Sequence, residues 1–455
     1  MGCKMKTKKL KFLGYLLLFV AFFASFITVI ALKISKPYKP SFYNYASYIS
    51  IENRKKIEKT FDYKEFQVLE EFNDALTREK AIAGIGTDNQ VVTLIKQDRL
   101  RKIDYQTLFG VDSPKEFLTE KIWKQMETFD QFLTTDANGK LFDKPRHLWE
   151  YFIPYYAQDF VIAYNHTKNN NKHIVRYEND SYFEILNKLK EQDYKKLFIL
   201  DDFRNMLAMG TSRMLQEDGT YLNKFDEING NVTEKDYKIQ LQSFVNLIED
   251  SLQTNIKDNK KIVFSGDGQE VLRSLIDPNS NVDMAILFNG DALDAYYSED
   301  NFESVPSGSI TIVKPINNII TIDGIVLNKN ISDAAYERYI KTFEDCFIGG
   351  YKDHTKFDNF GKYDQAPSLK SLENAVMVDE EIDYEALPFL SNFDLINYTP
   401  VYKLEYDFHK MYYFDDDEEA IKIYELNKPS YISIRPISKK LHSIIVTEYN
   451  SIIKG

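Results

Sequence analysis

Cysteine is nearly absent from this chain, with only Cys3 and Cys346 among 455 residues. A disulfide scaffold is excluded, stability must come from packing, and Cys346 is expected in a core as a small hydrophobe. Proline is scarce too, at 13 residues, and with 44% apolar and 28% charged residues the composition is that of a globular chain rather than a disordered one. No repeat recurs at solenoid or propeller periods. The sequence also lacks HExxH, a CxxC pair, GxSxG, a Walker A stretch and a GxGxxG after a strand. Its six histidines, His147, His166, His173, His354, His409 and His442, are scattered, with no two at ligand spacing on a helix. No metal site and no cofactor site is read from them. With no nucleophile and base in a recognisable pattern, the expectation is a protein that performs no chemistry.

Basic charge is in deficit. The formal net charge of −12 and the want of a basic face disfavour nucleic acid as a partner. The first 33 residues distort that figure, holding six Lys and no acid, so the remainder carries 51 basic against 69 acidic residues, a net of −18. An acidic body behind a basic leader suits cationic ligands better than anionic ones.

Long apolar runs are missing save one. From Phe12 to Leu32, FLGYLLLFVAFFASFITVIAL runs 21 residues without a charge, close to the roughly 20 that an α-helix needs to cross a bilayer. Lys8, Lys9 and Lys11 precede it and Lys33 follows. The positive-inside rule then sets the N-terminus in the cytoplasm and the body outside. A cleaved signal peptide has an apolar region of only about 7–15 residues. The expectation is therefore a retained, single-pass anchor at the cell membrane, with residues 1–40 forming basic tip, span and spacer. Cys3 precedes the run, whereas a bacterial lipidation cysteine follows one, so a lipoprotein is not expected.

Beyond residue 40, short apolar runs alternate with helical patterns, which predicts α/β architecture. LFIL (197–200) leads into DDFRNMLAMG, KIVFS (261–265) into GDGQEVLRSLI and MAILF (284–288) into NGDALDAYY. Each run ends at Asp or Gly before a helical period starts, and in open α/β sheets ligands bind beside such strand ends. A helix is predicted over 333–347, capped by Ser332 and stopped by Gly349 and Gly350. Between Tyr351 and Leu387 no period holds, which predicts a surface excursion. The run Asp415 to Glu419 reads as acids complementing a helix N-terminus.

Aromatic residues crowd one place, FYNYASYIS at 42–50. From there onward the motifs, in order, resemble those of the spermidine/putrescine-binding proteins of bacterial ABC importers, over roughly residues 41 to 410. That family's opening YNWTEY is matched by YNYASY (43–48), and its loop and helix ending in KID by GTDNQVVTLIKQDRLRKID (86–104). IPYIWGATAIGVN is echoed by IPYYAQDFVIAYN (153–165), LLLTDDARE by LFILDDFRN (197–205) and GMIWNGSA by AILFNGDA (285–292). FWMDSLAIP resembles ITIDGIVLN (320–328), and IGYPTP resembles INYTP (396–400).

The resemblance implies a two-lobed α/β fold of the periplasmic-binding-protein (type II-like) class with a ligand crevice between lobes. Lobe 1 would be 41–157 plus 322–398 and lobe 2 158–321 plus 399–455. The chain would cross near Gln158, Thr321 and Tyr398, and close by hinge rotation. It implies a ligand wall in which Tyr45 replaces a Trp, with Tyr48, Asp202, Asp323 and Tyr398 at matching contact positions. Ser47 and Asn205 stand where the pattern has Glu, and Phe288 and Thr321 where it has Trp. Thr87 and Asp88 after Gly86, and Asp291 beside Phe288, complete the expected site, the two acids making up for lost charge. The chemistry is coherent, since a polyammonium ligand needs aromatic faces along its methylenes and carboxylates at its nitrogens, and a desolvated cation–π contact contributes up to about 2 kcal/mol. The implied function is capture of a polyamine for delivery to an ABC permease and ATPase. Alternatives are another small cationic solute such as a thiamine-like cation, a metal complex, or a surface adhesin or assembly protein that has lost the pocket. Asp323 follows the run ITI before Gly324 and is expected at a strand end. Asp98, expected on a polar helix, stands outside the matched positions.

Overall fold

Each apolar run that ends at Asp or Gly forms a strand feeding a helix. The computed structural model describes residues 15, 18–28, 39–66, 69–176, 179–349, 369–379, 381–414, 416–428 and 430–454. One sheet of 11 strands organises them. Its members are β1 (Ser41–Tyr45), β2 (Asp62–Phe66), β3 (Ala81–Thr87), β4 (Ile153–Asn165), β5 (Leu197–Leu200), β6 (Ile262–Ser265), β7 (Met284–Phe288), β8 (Ile310–Val313), β9 (Asn317–Leu327), β10 (Thr399–Pro400) and β11 (Ser430–Ile432). The path through the sheet is β2-β1-β3-β9-β4-β7-β5-β6, with β8 and β10 also on β4 and β11 on β9.

Two parallel groups flank a pair of long antiparallel strands. β1 runs parallel to β2 and β3, and β5 parallel to β6 and β7, while β4 and β9 pair antiparallel between the groups. All 13 residues of β4 and all 11 of β9 are buried. This is why both read as near-continuous apolar runs instead of alternating ones. β4 changes partner part-way: Ile153 to Asp159 pairs with β9, and Phe160 to Tyr164 with β7. Gln158 and Thr321 face each other across β4 and β9 beside that change.

A buried ion pair sits at the same point. Lys314 Nζ donates to both oxygens of Asp159 at 2.8 and 2.9 Å and to the carbonyl of Glu425 at 2.8 Å. The Tyr431 hydroxyl donates to Asp159 at 2.6 Å, and Asn318 Nδ2 donates to Asp159 and to the Phe160 carbonyl at 3.3 and 2.7 Å. Burial raises the Asp159 pKa and lowers that of Lys314, the direction desolvation gives each charge.

The helices that position the site follow strand ends or turns: α1 (Ile51–Thr60), α2 (Asp88–Lys96), α3 (Phe203–Thr211), α4 (Gly268–Ile276) and α5 (Asn289–Tyr296). Ser50 caps α1, Asp202 caps α3 and Asp267 caps α4, each by a side-chain oxygen accepting a backbone N–H of the first turn. The helix expected at 333–347 spans Asp333–Phe343 and passes into a π turn to Ile348, with Ser332 as its cap. Asp417 caps the helix Glu418–Tyr424, in keeping with the helix-terminus reading of that acidic run.

Several expectations change. The described part of 351–387 begins at 369 and holds a helix, Leu369–Val376, and a hairpin of Met377–Val378 with Glu381–Ile382, so the excursion is structured there. Asp98 lies just past α2 with φ 55 and pairs with Arg146 at 3.2 Å and with Lys329, so it is a tethered turn residue rather than one on a polar helix. Asp323 is not at a strand end. It lies inside β9, opposite Thr87 of β3 and Tyr156 of β4, at a register shift before Gly324. A Cβ on Gly324 would stand 2.4 Å from the Ile153 carbonyl oxygen, so the close approach of β4 there requires glycine. The predicted span Phe12–Leu32 lies partly outside the described residues. Residues 18–28 are helical and exposed, and among the described residues no helix is long and apolar enough to cross a membrane.

Candidate functional site: an aromatic and carboxylate cluster

The opening strand delivers its aromatics by a tight turn. β1 ends at Tyr45, Ser47 takes a left-handed φ of 58°, and the chain returns so that Tyr48 is buried. Asn44 holds the turn, accepting from Tyr45 N at 2.9 Å and donating to the Tyr48 carbonyl at 3.0 Å. The Tyr45 and Tyr48 rings meet edge-on with centroids 5.6 Å apart. Tyr48 then touches Tyr398 at 5.6 Å, and Tyr398 touches Phe288 at 6.3 Å. Aromatic residues from opposite ends of the sequence thus form one continuous wall. Gly290 makes room for it, since a Cβ there would fall 1.4 Å from the Tyr398 ring.

Asp323 is the polar centre. It is 1% exposed and accepts from Thr87 Oγ1 at 2.8 Å, Gln158 Nε2 at 2.9 Å and the Tyr48 hydroxyl at 3.1 Å. Because Thr87 spends its proton on Asp323, the Tyr45 hydroxyl, 3.0 Å from Thr87 Oγ1, is the donor of that pair. All three partners of Asp323 are neutral, and burial pushes its pKa up to about 6 against their hydrogen bonds.

Two more acids share this condition. Asp88, at the first position of α2, accepts from Asn89 N at 2.6 Å and Ile322 N at 3.2 Å, and burial drives it up to about 8. Asp291, on α5, is raised to about 7 by burial, while a hydrogen bond from Tyr398 opposes the shift. A Cβ on Gly268 would stand 2.9 Å from Asp291, so α4 abuts it. Among the described residues, none of Asp88, Asp291 and Asp323 forms a salt bridge. An open cavity of about 310 Å³ lies elsewhere, around Asp98, Arg101, Lys102, Lys329 and Asp333. Its charges are matched within the protein, Arg101 with Asp333 at 2.6 Å and Asp98 with Lys329, so it offers no comparable excess.

A family model described as "Hypothetical lipoprotein (MG045 family)" matches residues 5–449. The chain belongs to that family. No curated protein sequence matches it. Among solved structures it is similar to a putative spermidine/putrescine ABC transporter protein from Listeria monocytogenes, with 17% identity, TM-score 0.50, and coverage of 91% of this chain and 98% of that one. It is also similar to the GacH receptor of Streptomyces glaucescens, solved unliganded and with acarbose, with 10% identity, TM-score 0.52, and coverage of 92% and 94%. The resemblance to spermidine/putrescine-binding proteins therefore holds at the level of the fold, the α/β periplasmic-binding-protein fold.

Of the sequence-predicted residues, Tyr45, Tyr48, Thr87, Asp323, Tyr398, Phe288 and Asp291 are joined by the contacts above. Asp88 reaches the same strand through the Ile322 amide, and Thr321, two residues from Asp323, is 8% exposed beside Gln158. Ser47 is exposed in the turn. Asp202 and Asn205 lie at the end of β5, level with the ends of β6 and β7, and α3 packs against β9. Sequence reasoning named Gln158 only as a crossing point and missed it as a partner of Asp323. The available signal was the pair Gln158–Asp159 interrupting an otherwise apolar strand.

Proposed function

We propose that this protein is an extracellular, membrane-held solute-binding protein of an ABC importer that captures a polyamine and hands it to a permease driven by an ATPase. The observation that carries the reading is a set of buried carboxyl groups that no salt bridge neutralises among the described residues and that a cationic ligand would hold ionised. Three buried acids, Asp88, Asp291 and Asp323, stand around an aromatic wall with no salt bridge among the described residues, Arg435 acting on Asp88 only through space. A polyamine supplies ammonium groups for such acids and methylenes for the rings. The likeness to the Listeria protein supports the fold part of this reading. The lobes would be 41–157 with 322–398 and 158–321 with 399–455, and the partner change along β4 supports a hinge at that point.

Membrane attachment rests on the apolar run. The family is described as lipoproteins, yet Cys3 precedes Phe12–Leu32 and the only other cysteine is Cys346. The run itself is then the anchor, and a Cys3→Ser protein stays in the membrane fraction.

Calorimetry of residues 37–455 with putrescine and spermidine, beside acarbose as a neutral comparison, tests the function. Saturable binding of a polyamine and a smaller radius of gyration on its addition are expected. No heat, no shift in melting temperature and no change in scattering would remove the reading.

A further inference from the structure

Two side-chain amides repeat one arrangement. Gln158 Nε2 donates to Asp323 Oδ2 at 2.9 Å, and Asn205 Nδ2 donates to Asp202 Oδ2 at 2.7 Å. Turning either amide over would aim its carbonyl oxygen at a carboxylate, so charge dictates the orientation. Each amide thereby leaves its carbonyl over. Among the described residues, Gln158 Oε1 and Asn205 Oδ1 are buried and accept no hydrogen bond, and their residues are only 6% and 4% exposed. Native proteins rarely leave buried acceptors unmet, and those that remain call for an explanation. Gln158 lies beside the partner change of β4, and Asn205 in the first turn of α3, which packs on β9. Both also depart from the spermidine/putrescine pattern, which has Gly at the position of Gln158 and Glu at that of Asn205.

We propose that each amide–carboxylate pair receives one N–H-bearing cationic group of the ligand, the carboxylate supplying charge and the amide carbonyl a second acceptor. The inference rests on the cation-binding reading above and narrows its ligand class. A primary ammonium has three donors and can satisfy both acceptors, a tertiary ammonium has one, and a quaternary ammonium has none. The protein therefore selects ammonium or amidinium ligands with donors at two places and discriminates against quaternary cations, which aromatic walls alone would accept.

A methylation series tests this. Calorimetry is run with putrescine, N,N,N′,N′-tetramethylputrescine and the bis-quaternary hexamethyl analogue, the last two being similar in bulk. Expected affinities fall in that order, with the tertiary and quaternary ligands separated by about a hundredfold, the effect of one charge-assisted hydrogen bond at each of the two ends. Gln158→Met and Asn205→Met, each checked for folding by its melting transition, should shrink the ratio of putrescine to hexamethyl affinity about threefold or more. Equal binding of tertiary and quaternary ligands would overturn the inference while leaving cation capture intact. So would an unchanged ratio in both folded variants. Binding of none of the three would remove the underlying reading together with the inference. If neither variant folds, the wild-type series still decides.

Discussion

At the residue scale, Asp323 joins the two properties a ligand acid needs, held geometry and unneutralised charge. Thr87, Tyr48 and Gln158 orient its carboxylate without a positive charge among them. In Asp323→Asn, Thr87 can still donate to the amide oxygen, and the new Nδ2, in the place of Oδ2, can donate to a turned Gln158 carbonyl and to the Tyr48 hydroxyl oxygen. The ligand-free fold should then change by no more than about 1 kcal/mol. A cationic ligand loses its counter-charge in a buried site, so affinity for putrescine should fall by at least about tenfold. Paired calorimetry and melting curves check this, and an unchanged affinity would take Asp323 out of the site. Asp98→Asn is the matched comparison. Its ion pairs with Arg146 and Lys329 involve a half-exposed carboxylate, so about 0–1 kcal/mol of stability is at stake and no affinity. Sequence alone set Asp98 outside the expected contact positions and carried no sign of its tether.

At the element scale, β4 decides the arrangement, because one strand serves two sets of partners and carries its own buried ion pair at the change. Lys314→Met leaves Asp159 buried with the Tyr431 hydroxyl and the Asn318 amide as its side-chain hydrogen-bond donors among the described residues. Breaking such a pair from one side costs about 3–5 kcal/mol. Adding Asp159→Asn removes the stranded charge and should recover part of that loss. Urea unfolding of the single and double variants measures both, and a single variant within about 1 kcal/mol of wild type would mean that the pair does not hold the crossing. Element type was legible from sequence here: all of β5, β6, β7 and their following helices fall where the apolar runs and Asp or Gly punctuation put them. Strand partners were not, since the same apolar run suits either face of either group.

At the scale of the whole molecule, three buried acids with raised pKa values make both stability and binding depend on pH. A carboxyl whose folded pKa exceeds its ordinary value of 3.8 binds its proton more firmly in the folded state. Its contribution is fully present below that ordinary value and is lost as pH rises through about 6 for Asp323, about 7 for Asp291 and about 8 for Asp88. The ligand-free protein should therefore lose stability from these groups between pH 4 and 8. A polyammonium ligand acts oppositely, because it pairs with the ionised forms. Its affinity should rise over the same window, with protons released on binding, and the added stability should grow with ligand concentration. Calorimetry in two buffers of different ionisation enthalpy reads the proton release. An affinity independent of pH from 5 to 8 would show that these acids do not meet the ligand's charge.

The sequence by itself determined the alternation of strands and helices, the aromatic tip after β1, the cap at Ser332, the acidic start of the helix at Glu418, and the acidity of the body, because each is written in neighbouring residues or in composition. Only the tertiary structure decided that Asp323 lies inside a strand, that Gln158 grips it, and that Tyr398 closes the wall over Gly290. Tyr48 and Asp323 are 275 residues apart along the chain, and Gln158 and Asp323 are 165 apart. A local pattern sets which residues extend or coil, whereas hydrogen bonds across such separations depend on which strands pair and in what register. That choice is made when the apolar faces of the whole sheet are buried together.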